Sequence, residues 1–242
     1  MFVTAIVLAA GRGLRFKLKT PKPLVEVNAK PIIIYSLSVL NRHPSVGSII
    51  VVVNNKNSKR IIKIIKQHKI NKVCQIVNGG RRRQDSVLNA FKAIDIKTEL
   101  VLIHDAVRPF IDKKLVSLVI TEAKKFGAAI VGVPVKATIK KVVRRPCLSG
   151  RQASSVVSKF VVEKTLNRDN LWEIQTPQVF RKDLILKAYE KFMNLSVTDD
   201  SMLVEKLGVK VAVVLGSCNN IKVTTPEDLV IAEAIAKKWN TK

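Results

Sequence analysis

Four clusters of small and cationic residues are the parts of this sequence best equipped for chemistry. The first is Ala9-Ala10-Gly11-Arg12-Gly13-Leu14-Arg15, followed by Pro21-Lys22-Pro23. Gly11 and Gly13 permit backbone angles and approach distances that a Cβ would block. Successive backbone amides in such a turn make an anion-binding concavity. Arg12, Arg15 and Lys22 add fixed positive charge around it, and the two prolines stiffen the backbone of Lys22. The segment reads as a phosphate cradle, suited to a nucleotide. A Walker A loop needs a Gly-Lys pair, which is absent, and Phe16 stands where a dinucleotide fingerprint needs its third glycine.

Three further clusters share this character. Gly79-Gly80-Arg81-Arg82-Arg83-Gln84-Asp85-Ser86 offers a second flexible backbone, three cations and a helix N-terminus. It reads equally as a plain helix start capped by Asp85 or Ser86. His104-Asp105-Ala106-Val107-Arg108-Pro109 presents a carboxylate able to bind a metal or a ribose hydroxyl. Arg108 would either pair with that carboxylate or bind phosphate, and His104 reads as structural. Asn219-Asn220-Ile221-Lys222-Val223-Thr224 sets Lys222 just before a final helix. Lys222 reads as a phosphate ligand or as one more surface lysine.

Each cluster follows a short β-branched run, and ligands of open α/β sheets bind at strand ends. The pattern predicts strands at Val3 to Leu8, Ser48 to Val53, Val73 to Val77, Leu100 to His104, Ala128 to Val133 and Val209 to Leu215. Between and after them it predicts helices from Pro31 to Leu40, Lys56 to His68, Gln84 to Ile94, Lys113 to Phe126, Lys182 to Met193 and Asp199 to Leu207. A last helix starts at Thr225-Pro226-Glu227-Asp228, with a threonine cap, a first-turn proline and acids beside them. The alternation implies an α/β fold, a mostly parallel sheet with helices on both faces. From Pro134 to about Leu171 the rhythm breaks into a basic, β-leaning stretch. There Lys140 to Val143 and Val156 to Val162 can pair as a hairpin. The expected organisation is one domain over residues 1–242 with a projecting arm at about 134–171, stabilised by a second subunit.

Composition narrows the class. The chain has 242 residues, enough for one large α/β domain, and 47% of them are hydrophobic. No apolar run reaches the ~18 residues of a membrane span, and the first residues lack a secretory pattern. Cys74, Cys147 and Cys218 lie far apart and read as free thiols of a cytoplasmic protein. The net charge of +25 fits an anionic substrate and also raises nucleic-acid binding. However, the lysines are spread through helical segments without interleaved aromatics, which argues for solvated surface charge.

The motifs taken together, in order, resemble one family. They are Ala9-Ala10-Gly11-x-Gly13-x-Arg15, Pro21-Lys22, Gly79-Gly80-x-x-Arg83-x-Asp85-Ser86-Val87, His104 to Pro109, Pro134 to Lys140, Gln175-Thr176-Pro177-Gln178, Thr198-Asp199-Asp200 and Asn220 to Thr224. They are similar to those of the 2-C-methyl-D-erythritol 4-phosphate cytidylyltransferases of the non-mevalonate isoprenoid pathway. The resemblance implies a Rossmann-like nucleotidyltransferase fold, a homodimer, CTP as substrate and Mg2+ held mainly by the CTP phosphates. It places Ala9, Ala10, Gly11, Gly80, Arg83, Ser86 and Asp105 around the nucleotide. Arg15, Lys22, Arg168 and Lys222 take the catalytic positions. Asp105, Thr138, Arg168, Thr176 and Lys222 surround the sugar-phosphate acceptor, with Thr138, Arg168 and Thr176 from a partner's arm. The segment at about 141–155 is longer than the family pattern. A phosphate nucleophile is already deprotonated, so cations rather than a general base are needed. The rival acceptor is a pentitol phosphate such as ribitol 5-phosphate. The rival class is a basic nucleic-acid-binding protein.

Overall fold

The computed structural model describes residues 2–11, 20–144 and 160–239. β1 (Val3–Ala9) leads to a small hairpin of β2 (Glu26–Val27) and β3 (Lys30–Pro31) and then to α1 (Ile32–Arg42). The alternation continues with β4 (Val46–Val53), α2 (Ser58–Gln67), β5 (Val73–Asn78), α3 (Arg83–Phe91), β6 (Leu100–Asp105), α4 (Lys113–Phe126) and β7 (Ala128–Pro134). After β8 (Lys140–Arg144) and β9 (Phe160–Thr165) come β10 (Trp172–Arg181), α5 (Lys182–Phe192), α6 (Ser201–Glu205), β11 (Ala212–Leu215) and α7 (Pro226–Trp239).

The main sheet has the order β11-β7-β10-β6-β1-β4-β5. β1 runs parallel to β4 and β6, β4 to β5, and β11 to β7, while β10 is antiparallel to β6. The fold is therefore the mostly parallel, helix-flanked sheet that the alternation implies. β1, β4 and β6 are buried almost throughout, which explains their continuous apolar runs. α4 shows why helix limits were readable. Asp112 Oδ1 accepts the Leu115 amide at 2.7 Å, and Gly127 ends the helix in the left-handed region at φ 82°.

β10 is the correction to the sequence reading. The sequence shows no strand there, because Pro177 cannot donate to a ladder and Gln175, Thr176 and Gln178 are polar. The structure accommodates both features. Pairing with β6 begins just past the proline, at Gln178 opposite Ile103. The three polar side chains are buried, and Gln178 Nε2 donates to Asp199 Oδ2 at 2.7 Å.

Residues Met1–Gly132 with Gln175–Lys242 form one compact unit, and Val133–Ile174 form another. In the larger unit, one apolar cluster joins β1, β4 and β6 to α1 and α4. A second cluster, including Val25, Tyr35, Phe110, Val223 and Ala232, ties the chain after Lys22 to the chain after Lys222. Tyr35 meets Phe110 edge-on at 5.6 Å and donates its hydroxyl to the Val27 carbonyl at 2.7 Å. Burying such side chains stabilises by roughly 1.5–3 kcal/mol each, so these two loops have a firm base.

The smaller unit is a hairpin of β8 against β9, with Lys140 opposite Thr165 and Arg144 opposite Phe160. Its stem is closed by the Val135 amide donating to Leu171 O at 3.0 Å. Both strands are exposed along their length. The residues expected to open the second strand, 156–159, and the segment 145–155 lie outside the described residues.

Candidate functional site

The strand ends of the larger unit enclose a cleft of about 950 Å³. Of the residues singled out in the sequence, Ala9, Ala10, Gly11, Lys22, Gly80, Arg83, Ser86, Asp105 and Lys222 line it. Arg15, with Arg12 and Gly13, lies outside the described residues.

Close backbone approach builds one wall. A Cβ on Gly79 would stand 2.3 Å from the Ala10 Cβ, and one on Gly80 would stand 2.2 Å from the Asp85 Cβ. The loop after β5 is thereby pressed against the loop after β1, and the Gly79 amide donates to Val53 O at 2.8 Å. Gly11 is packed differently from Gly79 and Gly80. A Cβ there meets nothing within 4 Å among the described residues, and its φ is not in the left-handed region. Packing among the described residues does not demand that glycine; it lines the cleft.

The loop after β5 enters α3 through Asp85, whose Oδ2 accepts the Arg82 amide at 2.8 Å. Ser86 Oγ accepts the Gly80 amide at 3.0 Å and lies 3.2 Å from Arg82 O, to which it donates. With its proton used, the hydroxyl has only acceptor capacity left for a ligand.

Asp105 is the carboxylate of the cleft wall. Its Oδ2 is 2.7 Å from Lys222 Nζ and its Oδ1 is 3.7 Å from Arg83 Nε. Burial works against its charge, but Arg83 and Lys222 outweigh it and lower its pKa to about 2. Arg83 Nη1 reaches inward to Asp200 Oδ2 at 2.7 Å. Burial opposes the Arg83 charge, yet Asp200 and Asp105 raise its pKa above the usual arginine value. Lys222 is carried by a loop that Asn220 fixes from inside. Asn220 Nδ2 donates to Gln175 Oε1 and Thr176 O, and the Val223 amide donates to Val107 O. Lys22 opens a single 3₁₀ turn, and its Nζ donates to Thr224 O at 2.6 Å. Lys22 and Lys222 therefore meet at one stretch of chain, residues 222–224.

His104 is structural in the way its sequence suggests. It is fully buried, Nε2 donates to Arg108 O, and Nδ1 accepts from the Thr176 hydroxyl, both at 3.0 Å. Burial lowers its pKa to about 4, so the ring is neutral near pH 7. Arg108 is buried too, and Nη1 donates to Asn220 O at 2.8 Å, which ties two cleft loops together.

Thr176 corrects the expected origin of one residue. It does not belong to the arm: it stands in β10 of the larger unit, and its hydroxyl oxygen accepts the Asp105 amide at 3.1 Å. Thr138 and Arg168 belong to the smaller unit, where both are exposed and Arg168 Nη1 donates to Lys136 O. Sequence reasoning gave no role to Asp200, Tyr189 or Gln175. Asp200 was visible only as part of a motif, since nothing in its spacing tells that it faces Arg83.

Cations converge on this cleft from three strand ends, and the histidine behind them is committed at both nitrogens. The arrangement can bind and align polyanions and stabilise charge on them.

The comparisons with known proteins agree with this chemistry. The family model for 2-C-methyl-D-erythritol 4-phosphate cytidylyltransferase matches residues 3–238. The enzyme of that name from Syntrophus aciditrophicus is 41% identical over 239 residues, 98% of this chain and 96% of the relative. The one from Shouchella clausii is 40% identical over 240 residues, 98% of each chain. The crystal structure of 4-diphosphocytidyl-2C-methyl-D-erythritol synthase from Anaerococcus prevotii superposes with a TM-score of 0.80 at 34% identity, covering 98% of this chain and 96% of that one. The Thermus thermophilus cytidylyltransferase superposes at 0.74 with 28% identity, covering 98% and 100%.

Proposed function

The chain belongs to the 2-C-methyl-D-erythritol 4-phosphate cytidylyltransferase family, and we propose that the strand-end cleft is where its reaction runs. The protein transfers a cytidylyl group from CTP to 2-C-methyl-D-erythritol 4-phosphate. The products are 4-diphosphocytidyl-2-C-methyl-D-erythritol and pyrophosphate. An acceptor phosphate oxygen attacks the α-phosphorus of CTP as the bond to pyrophosphate breaks. Two anions must meet, so the protein's task is alignment and charge neutralisation.

The observation that carries the site is the convergence of Lys22 and Lys222 beside Asp105, with no titrating base among them. Lys22 holds the triphosphate, together with Arg15. Lys222 lies where acceptor and α-phosphate meet. Ala9, Ala10, Gly11 and Gly80 take the cytidine by their backbone, and Ser86 accepts a hydrogen bond from the cytosine amino group. Asp105, held by Thr176 from behind, faces the sugar.

Among the described residues no group of three His, Cys, Asp or Glu could hold a metal ion, and Asp105 is the one carboxylate among those lining the cleft. That donor set suits Mg2+ carried on the CTP phosphates, with water and a single protein carboxylate filling the rest of its shell. Asp105 would share it. When bound, Mg2+ supplies charge neutralisation on the triphosphate.

The protein works as a homodimer in which the Val133–Ile174 unit of each subunit serves as an arm that completes the other's acceptor site with Thr138 and Arg168. Support comes from the exposure of Val142, Val143, Phe160 and Val162 on a two-stranded hairpin, which is marginal alone. The cytoplasm is its place, since Cys74 and Cys218 are exposed free thiols. No helix among the described residues is long and apolar enough to cross a membrane.

The test is pyrophosphate release with CTP and each of two acceptors, methylerythritol phosphate and ribitol 5-phosphate. Release with the first and little with the second is expected. Equal or better turnover of ribitol 5-phosphate would overturn the acceptor assignment.

A further inference from the structure

Behind the cleft lies a carboxylate for which the reaction has no direct use. Asp200 precedes α6 and has no exposed surface. Its Oδ1 accepts the Tyr189 hydroxyl at 2.5 Å, and its Oδ2 faces Arg83 Nη1 at 2.7 Å. Tyr189 is buried as well, and its ring meets Phe91 of α3 edge-on at 5.0 Å. Arg83 is the first residue of α3, so both ends of this contact rest on packed helices. From the interior outward the groups alternate in sign: Asp200, Arg83, Asp105, Lys222.

A buried carboxylate is costly to desolvate, and pairing it is weak evidence of a stability role. The neighbouring residue already performs the local structural task. Asp199 accepts the Met202 amide at 3.2 Å, the Ser201 hydroxyl at 3.0 Å and the Gln178 amide group at 2.7 Å. Asp200 makes no side-chain cap on α6. What it touches instead is the hydroxyl behind it and the arginine in front of it.

We propose that Asp200 is a positioning residue: it fixes Arg83, and through Arg83 the Asp105 carboxylate, so that Lys222 keeps one orientation toward the incoming phosphates. Arginine has a long side chain with many rotamers, and an anchor at its inner edge removes that freedom before substrate arrives. A fork-shaped guanidinium can serve two carboxylates at once, which a lysine ammonium does with less directional control. Without the anchor, Arg83 is free to turn wholly onto Asp105 and compete with Lys222 for it. The inference rests on the cleft being the cytidylyltransferase site.

Saturation kinetics with CTP and methylerythritol phosphate test it, run on wild type, Asp200→Asn, Asp200→Glu and Tyr189→Phe together with thermal melting. Asp200→Asn keeps the shape and removes the charge. Its kcat should fall about tenfold, the scale of a small misplacement of reacting groups. Its KM for CTP should change less than its kcat, because Lys22 and the loop that carries Lys222 keep their own anchors. Asp200→Glu should recover part of the lost kcat. Tyr189→Phe should show a smaller fall in kcat at unchanged CTP KM, and it decides the matter alone if Asp200→Asn does not fold. Wild-type kcat in Asp200→Asn overturns the proposal. So does an equal loss in the Asn and Glu variants that tracks a loss of melting temperature, and so does wild-type behaviour of Tyr189→Phe where it decides alone. Absence of pyrophosphate release from wild type would instead overturn the reading of the cleft itself.

Discussion

Lys22 and Lys222 show how far single residues carry the account. Each is placed by backbone it does not choose, Lys22 by flanking prolines and Lys222 by the Asn220 network. Lys22→Ala should fold normally and lose ~10²–10³ in turnover, the usual cost of one charge contact to a transition state. Steady-state kinetics beside a melting curve checks this. His104 makes a different prediction. Its pKa is about 4 when folded, below the ordinary histidine value of 6.5. The unfolded chain therefore binds more protons between those values, and stability is present above pH 6.5 and lost as pH falls toward 4. The loss on full acidification is roughly 3 kcal/mol at ~1.4 kcal/mol per pH unit. Burial and the nearby Lys113 and Lys72 depress the pKa of His43 as well. A His104→Gln protein should thus lose less stability on acidification than wild type, by denaturant unfolding at pH 7, 6, 5 and 4. An unchanged pH slope would contradict the buried, neutral assignment.

The loop after β5 contributes Gly79, Gly80, Arg81 and Arg82 to the lining of the proposed nucleotide pocket. Gly79→Ala would drive a Cβ into the Ala10 Cβ at 2.3 Å, so one of the two loops must move. We expect a CTP KM raised about tenfold, since backbone contacts of this kind lose their geometry with a small displacement. Gly11→Ala meets no protein atom within 4 Å among the described residues, so it should melt as wild type does and still weaken CTP binding. Isothermal titration with CTP separates these outcomes. The contrast also shows what the sequence could and could not tell. Glycines after a strand marked loops that line the cleft, but not which glycine is required by packing among the described residues and which is not. That depends on Ala10 and Asp85, which the fold brings across. Strands β1, β4 and β6 were legible because burial on both faces leaves unbroken β-branched runs. β10 was not, because its burial is polar and Pro177 interrupts it. The resemblance places Thr176 in a partner's arm, whereas its hydroxyl supports Asp105 within the sheet. The place of Asp200 was unreadable, because its partner Arg83 stands far away in sequence.

At the scale of the whole molecule, the proposed dimer makes a direct prediction. Arg168→Ala should retain CTP binding and lose acceptor turnover, since a guanidinium gives an acceptor phosphate both charge and orientation. Mixed with Lys22→Ala under conditions of subunit exchange, it should regain activity above either parent, as some dimers then hold one intact site. Exchange without regained activity, with wild-type heterodimers still active, would contradict the shared site. The central claim is that the strand-end cleft performs cytidylyl transfer, and one measurement meets it most directly. It is product formation from CTP and methylerythritol phosphate by wild type and by Lys222→Ala, with melting curves alongside. The account predicts pyrophosphate and cytidylylated product in equal amounts from wild type, and a rate lower by ~10²–10³ in a normally folded variant. A folded Lys222→Ala protein that turns over like wild type would place the chemistry elsewhere.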